Sequence, residues 1–198
     1  MKHIILLFFT AIIFITSSSA QQKKLFYDVI RNGKTIGEIV YTEIIQGQRK
    51  TLGMTSNVET TLIFSYTDHT VETAIFDKGI MGYSSFYQKQ TGSDEVNKTI
   101  KLSGKYYKVT NGGESKLISL PPVRYNTLML YTNQPERISK VFSANFQSLV
   151  DIKKIANNKY RLFLPDEKYN DYTYKNGVCV LVEIVRSLGT IQFVLRGQ

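Results

Sequence analysis

The chain has 198 residues, of which 42% are apolar and 21% charged: enough for one domain with a substantial core, and short of a comfortable pair of domains. That balance excludes a disordered or fibrous chain. The formal charge is +9, and 13 Tyr and 11 Phe beside no Trp and 4 Pro favour β structure over a helix bundle.

At the start of the chain, Lys2 and His3 precede an apolar run from Ile4 to Ile15, followed by Thr16, Ser17, Ser18, Ser19 and Ala20. This reads as a secretory signal over residues 1–20, too short to span a bilayer comfortably, with Ser18 and Ala20 where a signal peptidase expects small residues. Position 21 is Gln and not Cys, so no lipobox thiol follows, and no second apolar stretch has membrane length. The expectation is one exported β domain over 21–198, soluble, in the periplasm or outside the cell. Loss of Lys2 and His3 leaves a net charge of +8 and His69 as the remaining histidine. Cys179 is the single thiol and has no partner for an internal disulfide. Its setting in Val178-Cys179-Val180-Leu181-Val182 marks it as a small buried hydrophobe.

Strand signals recur from Lys24 to Gly197, punctuated by hairpin pairs at Asn32-Gly33, Asn157-Asn158 and Asn176-Gly177. Further turns are marked by Gly47, Gly79, Ser103-Gly104 and Asn111-Gly112-Gly113. In chain order the expected strands are 25–31, 36–45, 57–66, 70–77, 80–89, 96–102, 105–110, 115–119, 147–155, 159–164, 169–175, 177–185 and 190–196. In the third of these, Val58, Thr60, Leu62, Phe64 and Tyr66 alternate with mostly polar residues, as in a half-buried strand. The run 177–185 is apolar on both faces except for Glu183, which predicts cover on both sides. One stretch departs from the pattern: Leu120-Pro121-Pro122 stops any strand, and Tyr125, Leu128 and Met129 fall at helical spacing within Val123 to Tyr131. Pro135 closes that region.

Short loops and the absence of βαβ crossovers predict a mainly β fold, a single antiparallel meander. So many strands cannot stay flat, and the expected form is a barrel or half-barrel curled around one short helix. An outer-membrane barrel is disfavoured, because the terminal Leu195-Arg196-Gly197-Gln198 lacks a closing aromatic and no paired aromatic girdles stand out.

Four runs carry a family resemblance: Tyr27-Asp28-Val29 with Asn32-Gly33 and Gly37; Gly79 through Ser84-Ser85; Leu130-Tyr131 through Gln134-Pro135 to Val141-Phe142-Ser143; and Tyr172-Thr173-Tyr174-Lys175-Asn176-Gly177. On these the chain resembles a family of small secreted Bacteroidota proteins known as a domain of unknown function of the 6134 type. Where the resemblance leads one to expect Glu before the proline, this chain has Gln134. What it implies is a periplasmic or cell-surface β domain without an assigned activity. It also looks distantly like half-barrel carriers that shield lipid acyl chains, which is a likeness of shape and not of chemistry.

The residues for most site chemistries are scarce. Past the expected signal, one His and one Cys, 110 positions apart, do not make a zinc site, and no Asp-x-Asp-x-Asp-Gly calcium loop occurs, so neither metal nor cofactor is expected. His69 could serve a nucleophile, but Asp68 beside it would point to the opposite face of a strand, and no Gly-x-Ser-x-Gly elbow exists. Glu59, Glu72 and Glu183 lie in strand-like runs and could share a concave face, Glu183 standing out for its apolar neighbours. No phosphate loop occurs, and the basic residues are spread out, which argues against a nucleic-acid partner. Lys101, Lys105, Lys108, Lys153, Lys154 and Lys159 suit anionic envelope headgroups better.

The leading reading is a non-enzymatic carrier whose concave apolar face takes a lipid or other hydrophobic small molecule, lined by Leu62, Phe64, Tyr66, Leu128 and Met129. A second is a structural or assembly protein of the envelope that docks a protein partner through open strand edges or exposed aromatics. A third, with less behind it, is a hydrolase using carboxylates such as Glu183.

Overall fold

The computed structural model describes residues 20–61, 65–165, 167–186 and 189–197, so the expected signal lies outside the described residues except for Ala20. Among the described residues the strands are β1 (Gln21–Arg31), β2 (Lys34–Gln46), β3 (Arg49–Thr61), β4 (Ser65–Asp77), β5 (Ile80–Gln90), β6 (Val96–Ser103), β7 (Tyr106–Asn111), β8 (Glu114–Ile118), β9 (Lys140–Ser143), β10 (Ser148–Ala156), β11 (Lys159–Phe163), β12 (Tyr169–Lys175), β13 (Val178–Arg186) and β14 (Gly189–Leu195). All fourteen form one antiparallel sheet in the order β8-β7-β6-β5-β4-β3-β2-β1-β14-β13-β12-β11-β10-β9. The first and last strands therefore lie side by side in the middle of the sheet, where Tyr27 pairs with Leu195 and Val29 with Phe193. The edges, β8 and β9, are consecutive in sequence and are not paired with each other, so the sheet curls without closing.

Local chemistry explains the tight meander. Asn32 and Gly33 (φ 49° and 73°) and Asn176 and Gly177 (φ 51° and 78°) both adopt the left-handed conformation that two-residue hairpins require. Lys78 and Gly79 do the same, which confirms the turn expected at Gly79. The run 57–66 is not one strand: β3 ends at Thr61 and β4 begins at Ser65, with Thr60 paired to Tyr66. Paired residues in a hairpin share a face, and here they differ by an even number, so the alternation continues through the reversal and conceals it. Residues 49–56 and 140–143 are strand where none was expected.

The run 178–186 also departs from expectation. A bulge between Thr173 and Tyr174 pairs Tyr174 with Cys179 but Thr173 with Leu181, so Cys179 turns inward along with Val182. Both are buried, while Val180, Leu181 and Val185 are only half-buried, so the strand is covered on its inner face and not on both.

The core fills the concave side. Tyr27, Val29, Ile39, Tyr41, Leu52, Ala74, Phe76 and Met81 from one half meet Val141, Phe142, Ile152, Leu162, Tyr172 and Cys179 from the other. Between them runs the connection from β8 to β9. The helix expected over 123–131 is only a 3₁₀ helix, Thr127–Tyr131, capped by the Asn126 side chain, which accepts from the Met129 amide at 3.3 Å. The preceding residues are extended and tied to the sheet: Met81 N donates to Val123 O at 2.8 Å, and Phe142 N to Tyr125 O at 2.9 Å. Two adjacent prolines and these edge-like bonds leave no room for α-helical i to i−4 bonding ahead of Asn126.

Side chains span the seam that backbone pairing leaves open. From the β9–β10 connection, Gln147 Nε2 donates to Thr99 O and Thr110 O, both at 2.9 Å, and Lys98 Nζ donates to Asn145 O at 2.6 Å.

Candidate functional site

One mouth of the curled sheet holds a cavity of about 200 Å3. Its position follows from register. Tyr41, Met54, Glu72 and Phe86 form a cross-strand row over β2 to β5, with Tyr41 paired to Met54, Met54 to Glu72, and Glu72 to Phe86. Along β4 the inward positions are Thr70, Glu72, Ala74 and Phe76, all buried, so period-two alternation alone carries a carboxyl into the interior. Met54, Glu72 and Phe86 make one wall, Leu162, Tyr172 and Phe193 the other, and Leu128 with Tyr131 of the 3₁₀ helix the floor. Asn145 and Phe146 stand at the rim beside the seam.

Glu72 is the electrostatic feature of this cavity. Thr127 Oγ1 donates to its Oε1 at 3.1 Å, and among the described residues no cation lies within ion-pair distance of it. Burial pushes its pKa up to about 7, against a smaller lowering from the Thr127 hydrogen bond. Burial likewise raises the Tyr131 hydroxyl far above its ordinary value, with neighbouring Tyr172 and Tyr27 adding to the effect. Among the described residues no Lys or Arg lines the cavity; Lys98, which donates to Asn145 of its lining, has its pKa lowered by burial.

Of the residues expected to line a ligand site, Leu128 lies in the cavity floor, and Met129 is buried beside it but does not line it. Tyr66 is 37% exposed near the start of β4, donating to Asp68 Oδ2 at 3.4 Å. Leu62 and Phe64 lie outside the described residues. None of Lys101, Lys105, Lys108, Lys153, Lys154 and Lys159 lines the cavity. Met54, Phe86, Leu162 and Phe193 were not singled out by sequence. The available signal was Glu72 itself, a carboxylate on the apolar parity of its strand.

The three expected carboxylates do not converge. Glu72 faces inward, whereas Glu59 is exposed and Glu183 turns outward, its Oε2 2.7 Å from Lys159 Nζ. On that outer face Asp171 takes a bidentate bond from Arg161 at 2.7 and 2.9 Å, and Lys159 lies between the two acids. This is a neutralised structural network. His69 is exposed and pairs across strands with Asn57, its Nδ1 2.7 Å from Asn57 Oδ1, with Asp68 on the opposite face. A larger groove of about 550 Å3 beside it is more open and of mixed lining, Ile36 and Val58 beside Glu38, Asn57, His69 and Arg196, and Arg196 is engaged with Asp28 at 2.7 Å and Glu38 at 3.2 Å.

Fold and interior together define a barrel-like antiparallel β domain, open along one seam and plugged by its own chain. The chain belongs to the family described as a domain of unknown function (DUF6134), whose model matches residues 27–196. Among solved structures it is similar to a beta-barrel-like protein of the domain of unknown function DUF1849 from Brucella abortus, with a TM-score of 0.55 and 12% identity over 87% of this chain and 94% of that one. At that identity the likeness is one of fold. No curated protein matches the chain.

Proposed function

We propose that the protein is an exported, non-enzymatic carrier that holds the apolar part of a small amphiphile in the mouth cavity. The observation behind this reading is a cavity with apolar walls from both halves of the sheet and a floor from the 3₁₀ helix, built beside a tightly packed core. Its size sets the guest. At about 200 Å3 it equals the liquid volume of roughly six or seven waters. That admits a chain end or a compact molecule and leaves out a whole diacyl lipid, the remainder of a longer guest lying along the open mouth.

Native mass spectrometry and solvent extraction of protein purified from a cell envelope test the reading. The expected result is a small amphiphile released from the native chain and absent from a variant in which Leu164, another residue lining the cavity, is replaced by the bulkier Trp (Leu164→Trp). Guest-free protein from the envelope, together with no binding of any short-chain amphiphile in solution, would overturn it. A second reading, docking of an envelope protein, draws on β8, an edge strand whose Leu117 is 62% exposed. Stoichiometric capture of one protein by the native chain, lost on Leu117→Lys, is the result that would favour it.

A further inference from the structure

We propose that the mouth cavity selects guests that carry a protonated amine on an apolar body, and that Glu72 is the group that reads the amine. The proposal rests on the carrier reading for its site and adds the chemistry of the guest's head.

Glu72 is the one carboxyl among the described residues that line the cavity; the other polar side chains there are neutral, and several of their oxygens are already engaged. The Thr127 hydroxyl spends its proton on Glu72 Oε1, Ser143 Oγ accepts from the Phe146 amide at 3.4 Å, and Asn145 accepts from Lys98 through both its carbonyl and its side-chain oxygen. Glu72 remains as an acceptor of up to unit charge, 7% exposed, flanked by Met54 and Phe86 and without a cation among the described residues. A carboxylate guest would bring a second anion into a desolvated site, which is strongly unfavourable. An alcohol would gain one hydrogen bond to the carboxyl. An ammonium would gain both the hydrogen bond and the charge, and charge-assisted bonds are about twice as strong as neutral ones.

Proton balance makes the selection depend on pH. Near neutrality the carboxyl is shared between its two forms. Below that range an ammonium must displace the Glu72 proton into solvent in order to bind, and above it the carboxylate is ready. Among the described residues the other titratable groups at or next to this site are Tyr131 from the 3₁₀ helix, Tyr172 from β12, Tyr41 from β2 beside Met54, and Lys98 from β6 through Asn145. Burial drives the Tyr41 and Tyr131 hydroxyls far above neutrality, so neither titrates where Glu72 does.

The test uses n-octylamine, 1-octanol and octanoate, which share one apolar chain, with the signal-free chain in isothermal titration calorimetry at pH 6 and pH 8. At pH 8 octylamine is expected to bind about tenfold or more tightly than octanol, with octanoate weakest. At pH 6 its binding heat should vary with the ionisation enthalpy of the buffer, marking release of up to one proton. Glu72→Gln should abolish the preference for octylamine over octanol, and a urea midpoint near pH 5 close to that of the native chain shows that the variant keeps its fold. Equal affinity for amine and alcohol in the native chain, or a preference for amine that survives Glu72→Gln, overturns the inference and leaves the carrier reading in place. Failure of all three probes overturns both.

Discussion

Tyr174 on β12 donates its hydroxyl to the carbonyl of Leu130 at 2.9 Å, joining a strand of the C-terminal half to the 3₁₀ helix that plugs the fold. Tyr27 does the same for Cys179 O at 2.8 Å, and Tyr107 both donates to Met81 O at 3.2 Å and accepts from Val123 N at 3.1 Å. The Tyr41 ring stacks on Tyr131 at 5.3 Å. A curled sheet around an irregular segment must satisfy that segment's backbone groups away from water. Tyrosine suits the task because its ring fills volume and its hydroxyl reaches a carbonyl, which gives Tyr27, Tyr107 and Tyr174 a structural reason.

Tyr174→Phe keeps the ring and leaves the Leu130 carbonyl without this partner. The expected cost is about 1–3 kcal/mol of stability, read as a lower urea midpoint with an unchanged slope. Tyr66→Phe, at an exposed position whose hydroxyl meets only Asp68 at 3.4 Å, should stay within about 0.5 kcal/mol. Equal effects from the two would show that buried hydroxyls do not hold the plug.

Gly37 lies where β2 crosses very close to β3. A Cβ there would sit 2.2 Å from Asn57 O and 2.7 Å from Val58 Cα, both backbone atoms that cannot step aside. Gly37→Ala is therefore expected to cost about 3 kcal/mol or more, on the scale of severe overpacking. Gly82→Ala, whose nearest atom would be 3.8 Å away, should be tolerated within about 1 kcal/mol. Thermal unfolding of the pair checks the contrast, and a stable Gly37→Ala protein would contradict the close approach.

How far this was legible in sequence depends on the range of the interaction involved. Asn32-Gly33 and Asn176-Gly177 announced their hairpins because left-handed backbone is a local demand. The β3–β4 reversal carries no such signal, since Thr61 and Ser65 flank it without Gly, Pro or Asn and the alternation passes through unbroken. Cys179 reads as buried, but the side it faces is set by a bulge on the neighbouring strand, which its own strand cannot reveal. The cavity was half visible. Glu72 and Leu128 were both singled out, but for separate reasons, and only the docking of Thr127 onto Glu72, 55 positions away, unites them.

The seam between β8 and β9 gives a prediction about motion. Gln147 donates two hydrogen bonds of 2.9 Å to β6 and β7 carbonyls, and Lys98 reaches back to Asn145, so side chains there do what backbone pairing does elsewhere. Gln147→Ala should raise amide exchange over 96–118 by about tenfold, the loss of one to two net hydrogen bonds, while exchange over β1 and β14 stays as it was. Exchange measured by mass spectrometry on both proteins decides this. A uniform change over the whole sheet would mean that the seam has no separate opening.

Glu72 gives a prediction about pH whose sign follows from proton binding. Its folded pKa is raised by burial from 4.5 to about 7, so between those values the folded chain holds a proton that the unfolded chain has released. Stability from this group is therefore present in full below pH 4.5 and declines as pH rises through about 7, by about 3 kcal/mol in total. Glu43 works in the opposite sense. Burial raises its pKa, but Lys50 at 2.8 Å, Thr132 and Tyr41 together hold it below the ordinary value, so its contribution fails only in acid. A single pH profile would mix the two groups, and the difference between the native chain and Glu72→Gln isolates one of them. That variant should match the native chain near pH 5 and exceed it by up to about 3 kcal/mol at pH 8, measured by urea unfolding at both values. A gap that does not change between pH 5 and pH 8 would mean that water reaches the carboxyl freely, and that its burial does not raise its pKa.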